Sequence, residues 1–366
     1  YDEYGGEYKF NQKKFEKLII KNKLYNYWPK TKTGQCKKDE KTILRFAEDN
    51  QDISDYYFAT EFVDAQKLKG FVVGPDSRAR TPLTMYGLKT GRTNQSTALY
   101  PFNCAKPLRN IIAPDDKQKI GINFDYKAQE ISIAAYLSQD PNMMAAYESG
   151  DIYIKTAQLT GAVPSNATKE SHPVERNKYK TVLLATLYGQ GIKSLAERLG
   201  ITELESADLQ SKIKNTYSVY FRWVDQLVNR FSMQGYMAAK FGWRYWLTPG
   251  ESINPRTMYN FAIQGNGSEM LRLAAIGVCD AGVELNALIH DGILVQVPRK
   301  NLRKHLIKVK KILIDASKKI LNRNKSTNYF CDVDFQCIRT AMVQGETEQK
   351  KWNRIMSILN KHTRGE

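Results

Sequence analysis

In NQKKFEKLIIKNKLY the apolar side chains Phe15, Leu18 and Ile19 recur at helical spacing. Pro and Gly break the pattern at YWPKTKTGQC. It resumes in DEKTILRFAEDN, with Asp39 placed to cap. Residues 1–70 are therefore expected to be mostly helical. Residues 71–118 are rich in Gly, Pro, Thr and Asn and predict loop with short strands. KIGINFDY reads as a short strand, and AQEISIAAYLSQ after it has helical periodicity. Residues 151–240 read as helical throughout, with a loop at GAVPSNATKESHPVE. AKFGWRYWLT predicts an aromatic-rich strand or hairpin, and MYNFAIQGNGSEMLRLAAIGVCDAG a long helix. ALIHDGILVQVP then has the form of a hairpin, with Asp291-Gly292 as its tight turn and Gly292 supplying positive φ. A basic amphipathic helix over residues 299–323 and a late strand in YFCDVDFQC complete the pattern. Strands and helices so unevenly grouped indicate an α+β fold.

Composition narrows the partners. The chain has 366 residues, 42% of them hydrophobic, ample for a large core of two or three subdomains. No apolar run approaches the roughly 20 residues of a membrane helix, and no signal peptide is visible. Fifty-five Lys and Arg against 38 Asp and Glu leave a net charge of +17, which favours a polyanion, nucleic acid above all. Cys36, Cys104, Cys279, Cys331 and Cys337 form no CxxC pair and are expected to be reduced core residues of a cytoplasmic protein, without a structural zinc site. The chain begins at Tyr1, so a further upstream domain is expected.

Three constellations carry candidate chemistry. In INFDYKAQEISIAAYLS, Asp125 stands where a buried strand meets a helix, and Glu130 lies in that helix's first turn. A capping Asp is the plainer reading of this stretch by itself. In ERNKYKTVLLATLYGQG, Arg176, Lys180, Leu184 and Tyr188 are spaced four apart and form a slowly winding stripe roughly 18 Å long. Two cations at one end and an aromatic at the other suit a nucleoside triphosphate. The third is the hairpin's Asp291. Paired with Asp125, it makes a two-carboxylate site for hard divalent cations of the kind that serve nucleotidyl transfer.

At these residues the chain resembles the family A DNA polymerases, the group of bacterial DNA polymerase I. DYKAQE resembles that family's motif A, R-x3-K-x7-YG its motif B, and His290-Asp291 its motif C. TGRTNQST resembles its T-G-R segment, with Arg92, and RTMYNFAIQGNGSEM its R-x3-N-x3-Q-G helix, with Arg256, Asn260 and Gln264. Other stretches are similar to the branch found in phages, plasmids and mobile elements. The resemblance implies a right-hand fold with an antiparallel palm sheet, helical fingers and a small helical thumb. Residues 1–80 would form the thumb, 81–150 and 246–366 the palm, and 151–245 the fingers. It further implies two Mg²⁺ ions, with Mn²⁺ as a substitute, held by Asp125, Asp291 and the carbonyl of Tyr126. Arg176 and Lys180 would hold the triphosphate, Lys180 also protonating pyrophosphate. Tyr188 would guard the template base, and Glu130 would exclude a ribose 2′-OH. Arg92, Arg256, Asn260 and Gln264 would contact primer–template DNA, and His290 would orient the primer end. The implied protein is a monomer in the cytoplasm of a bacterium or phage-infected host, with no membrane partner and no proofreading in this chain.

The sequence departs from the family pattern at several positions. Gly292 replaces a Glu after His-Asp, Leu184 an aromatic residue, and Tyr153 a triphosphate-contacting His. Ala128 and Ser132 stand where motif A has Gln and Arg. Two rivals are a single-subunit RNA polymerase, opposed by Glu130, and a non-catalytic primer–template-binding relative, opposed by the intact carboxylate pair.

Overall fold

The strand KIGINFDY alternates in the folded chain except at Gly121, which is buried with its neighbours. Ile120, Ile122, Phe124 and Tyr126 are buried on one side, while Lys119, Asn123 and Asp125 remain accessible on the other. Burying side chains such as Ile122 and Phe124 stabilises the fold by about 1.5–3 kcal/mol each. The computed structural model describes every residue except 1, 5, 6, 32, 66–70, 72, 96–99, 249, 251–253, 323, 325, 343, 344, 365 and 366.

In chain order the elements begin with β1 (Asp2–Tyr4), β2 (Glu7–Lys9), α1 (Gln12–Lys21), α2 (Glu40–Ala47), α3 (Gln51–Ala65), β3 (Leu83–Thr84), β4 (Asn94–Gln95) and β5 (Lys119–Tyr126). Then come α4 (Gln129–Ser138), α5 (Pro141–Glu148), α6 (Ile152–Leu159), α7 (Pro173–Leu187), α8 (Ile192–Leu199), α9 (Glu203–Thr216) and α10 (Ser218–Gln234). The last are β6 (Tyr236–Ala238), β7 (Arg244–Trp246), α11 (Pro255–Asp280), β8 (Glu284–Ile289), β9 (Gly292–Pro298), α12 (Leu302–Leu321), β10 (Val333–Ile338) and α13 (Glu346–Arg364). Asp39 caps α2 as expected, accepting from the Thr42 N–H at 3.0 Å. Residues 2–4 and 7–9 depart from the helical expectation and pair as the antiparallel strands β1 and β2.

The residues group into two compact units. One comprises 1–82, 95–115 and 338–366; the other comprises 83–94 and 116–337. In the first, Phe15, Ile19, Trp28, Cys36, Ile43 and Ile53 form a core among α1, α2 and α3. The second holds every candidate site residue. Its sheet has the strand order β10-β5-β9-β8, and β9 pairs antiparallel with both β5 and β8. The buried side of β5 faces α12, where the Tyr126 hydroxyl donates to the Leu313 carbonyl at 2.8 Å. Helices α4, α11 and α12 pack on one another, and α6, α7, α8 and α9 form a further helical group.

One more expectation changes. Cys36, Cys104 and Cys331 are buried thiols, but Cys279 is exposed on α11, so it is not a core residue. The basic helix α12 does pack by Val309 and Leu313. Three of its lysines are engaged internally: Lys308 donates to the Ala281 carbonyl, Lys310 pairs with Asp332, and Lys311 with Asp315. Among the described residues, no helix is long and apolar enough to cross a membrane.

Candidate active site

The two aspartates meet because of strand register. Asp125 pairs with Gly292 across β5 and β9, which sets Asp291, one residue earlier, beside it. The Tyr126 N–H donates to the Asp291 carbonyl at 3.2 Å and closes the strand ends together. The hairpin turn itself is not Asp-Gly. Ile289 pairs with Gly292, so His290 and Asp291 are the two turn residues, and the positive φ (38°) falls on His290. Gly292 lies in the strand, and close approach is what requires it there. A Cβ at that position would sit 2.4 Å from the Phe124 carbonyl oxygen and 3.0 Å from Asp125 Oδ1. The space that a side chain would need is filled by the motif A strand.

Burial, the neighbouring charge of Asp291 and a hydrogen bond with it push the Asp125 carboxyl up to about 7, with Asp334 adding to the effect. Asp125 is open to solvent at the strand end, yet flanked closely enough by protein to feel desolvation. Two convergent carboxylates are a donor set suited to a hard divalent cation, which binds them deprotonated. Among the described residues, no cluster of three or more His, Cys, Asp or Glu is placed to hold a metal. The pair therefore fits Mg²⁺ as a site of few protein ligands, the remainder being left to phosphate and water.

Glu130, in the first turn of α4, joins the pair to its surroundings. Its carboxylate lies 3.6 Å from Arg92 Nη2 and accepts from Gln264 Nε2 of α11 at 3.5 Å. Burial raises its pKa, Arg92 opposes that, and Asp291 adds to it. Arg92 is delivered by a turn whose carbonyls are each taken. Trp243 Nε1 donates to Lys89, Ser268 Oγ to Thr90, and Arg272 to Gly91. Gly91 has φ +72°, and a Cβ there would lie 2.9 Å from the Trp243 ring. Arg92 Nε and Asn260 Oδ1 are buried with no hydrogen-bond partner among the described residues.

On α7, Arg176, Lys180 and Leu184 follow one incompletely buried stripe, and Tyr188 is the C-cap. The Tyr153 ring on α6 lies beneath both cations, 5.3 Å from the Arg176 guanidinium and 5.7 Å from Lys180 Nζ. Burial raises the Tyr153 phenol, and the charges of Asp151 and Glu130 raise it further, against Arg176. Leu184 packs against the main core. Arg256 lies at the start of α11 with its Cγ against Gly189, and His290 is exposed at the turn. Sequence reasoning passed over Asp151, which pairs with Arg176, and Trp243, which supports the Arg92 turn. A helix-capping Asp before an apolar run in GDIYIKT was the one available signal for the first.

The family model for DNA polymerase family A matches residues 7–324. DNA polymerase I of Deinococcus radiodurans is 27% identical over 284 residues, covering 69% of this chain and 29% of that protein. DNA polymerase I of Caldicellulosiruptor bescii is 25% identical over 307 residues, 76% of this chain and 35% of that protein. The DNA polymerase of Mycobacterium phage L5 is 30% identical over 181 residues, 48% of this chain and 27% of that protein. The chain thus spans about a third or less of these relatives' lengths. The polymerase domain of Pol1 from M. smegmatis, solved with DNA primer-template and dNTP, superposes with a TM-score of 0.73 at 21% identity. The match covers 90% of this chain and 60% of that one.

Proposed function

The chain belongs to DNA polymerase family A, and from that premise we propose that it adds dNTPs to a primer 3′-hydroxyl as a template directs. The observation that carries the reading is the meeting of Asp125 and Asp291, hydrogen-bonded at the end of the β5–β9 pair. In the reaction the 3′-oxygen forms a bond to the α-phosphorus, the bond to the bridging oxygen breaks, and pyrophosphate leaves. Asp125, Asp291 and the Tyr126 carbonyl would hold two Mg²⁺ ions, with Mn²⁺ able to replace them. When bound, the cations supply activation of the attacking hydroxyl and charge stabilisation of the leaving oxygen.

The chain's own groups do the rest. Arg176 and Lys180 grip the triphosphate and offset the charge that builds on it. Lys180 donates a proton to the pyrophosphate oxygen. Tyr153 holds these two cations in place, Leu184 lines the sugar side, and Tyr188 guards the template-base position. Glu130, fixed by Arg92 and Gln264, excludes a ribose 2′-hydroxyl. Arg92, Arg256, Asn260 and Gln264 line the primer–template duplex; the unpartnered Arg92 Nε and Asn260 Oδ1 supply polar atoms for it. His290 orients the primer end.

Residues 1–80 serve as a reduced thumb, 81–150 and 246–366 as palm, and 151–245 as fingers; the site-bearing sheet and α6–α10 share one compact unit. The chain acts as a monomer, in the cytoplasm, and supplies no proofreading of its own. The test is extension of a labelled primer with Mg²⁺ and one dNTP at a time. Addition that follows the template base supports the reading; extension independent of the template, preference for rNTPs, or no extension counts against it.

A further inference from the structure

Arg176 does not hang free beside the nucleotide stripe. Its Nε donates to Asp151 Oδ2 at 2.5 Å, with both side chains largely shielded from solvent. The other oxygen of the same carboxylate, Oδ1, accepts from the backbone N–H groups of Tyr153 at 3.1 Å and Ile154 at 3.2 Å and so caps α6. Asp151 cannot swing without uncapping its helix, which makes it a rigid acceptor. The guanidinium is held by this carboxylate at Nε and by the Tyr153 ring, 5.3 Å away, on its face. Two such contacts fix rotation about the last side-chain bonds. They leave the two Nη groups for a ligand, and neither has a partner among the described residues.

From this geometry we propose that Asp151 is a positioning residue for dNTP binding. It holds Arg176 by Nε so that the paired Nη donors face the triphosphate in a preset fork. The proposal rests on Arg176 being a triphosphate ligand, as argued above. Preorganisation of this kind acts on binding more than on chemistry, because the fork is needed before the bond-making step begins.

Asp151→Ser separates the two duties of the carboxylate. Serine caps a helix about as well as Asp, but its hydroxyl is too short to reach Arg176. Asp151→Asn keeps the cap with its single amide oxygen but turns its NH2, a donor, toward Arg176 Nε, so it too loses the contact. In single-nucleotide incorporation, Asp151→Ser and Asp151→Asn each raise KM for dNTP about tenfold, with kcat within about twofold. In the double variant with Arg176→Ala, Asp151→Ser adds nothing further, because both act through one fork. A Ser variant with normal or lowered KM overturns the proposal, as does a full additive loss in the double variant. Should Arg176→Ala leave KM unchanged, the nucleotide role of Arg176 itself fails, which is a separate result. Circular dichroism of each variant confirms that α6 and the fold persist. If Asp151→Ser unfolds, Asp151→Asn, which keeps the cap, with a normal KM still overturns the proposal.

Discussion

Placing a carboxylate directly after His290-Asp291, where the family A pattern calls for one, should harm this protein, not improve it. A Cβ at Gly292 would stand 2.4 Å from the Phe124 carbonyl oxygen, an atom fixed in the β5 backbone. Carbon–oxygen contacts across strands settle at about 3.3–3.6 Å, so β9 must retreat from β5 by roughly 1 Å at this point. Overpacking of that kind costs about 1–3 kcal/mol. The retreat falls on the Asp125–Gly292 pair, and so on the separation of the two aspartates. A misplacement of about 1 Å among reacting groups lowers a rate on the order of 100-fold. Gly292→Ala and Gly292→Glu are therefore both expected to lose about that factor in kcat, with thermal stability reduced in each. Rapid-quench incorporation of one dNTP gives kcat, and differential scanning calorimetry gives the stability. Gly292→Glu with undiminished or increased kcat would show that the strands accommodate a side chain here and that the reasoning is wrong.

Four further outcomes are expected. In chelator, the Asp125 carboxyl keeps its proton up to about pH 7, against about 3.9 for an unfolded Asp. The folded state then holds the extra proton, so stability from this group is full below about pH 4 and declines as pH rises to about 7. Melting curves of the protein and of Asp125→Asn should converge or cross in that window, and a difference that grows with pH in favour of wild type would contradict the assignment. Glu130→Ala should raise incorporation of rNTP relative to dNTP by about tenfold or more; unchanged selectivity removes it as the sugar gate. Arg176→Ala should chiefly raise KM for dNTP in steady-state incorporation. Neutralising Lys308, Lys310 and Lys311 should leave the salt dependence of duplex binding unchanged, since each already has an internal acceptor. A slope reduced by two or three would place them on DNA.

What could be read before folding divides along physical lines. The strand-end position of Asp125 and the four-residue stripe of α7 are local periodicities, and the folded chain keeps both. The meeting of Asp125 with Asp291 needs a pairing register across 166 positions of sequence, which alternation by itself does not specify. Gly292 was assigned to the turn because Asp-Gly is a strong local signal; the register moved the turn one residue back and gave the glycine a different duty. The first residues read as helix because a strong amphipathic pattern follows them, whereas strands of three residues are too short to carry a period. Asp151 and Trp243 act through contacts 25 and 154 residues away, and nothing nearby in sequence marks either partner.

The central claim is that Asp125 and Asp291 together form the catalytic centre of a DNA polymerase. Its most direct test is primer extension with Mg²⁺ and four dNTPs by wild type, Asp125→Asn and Asp291→Asn, each checked for primer–template affinity. The account predicts templated extension by the wild type, loss on the order of 1,000-fold or more in either variant, and duplex binding within about threefold. Near-normal extension by either variant would contradict it.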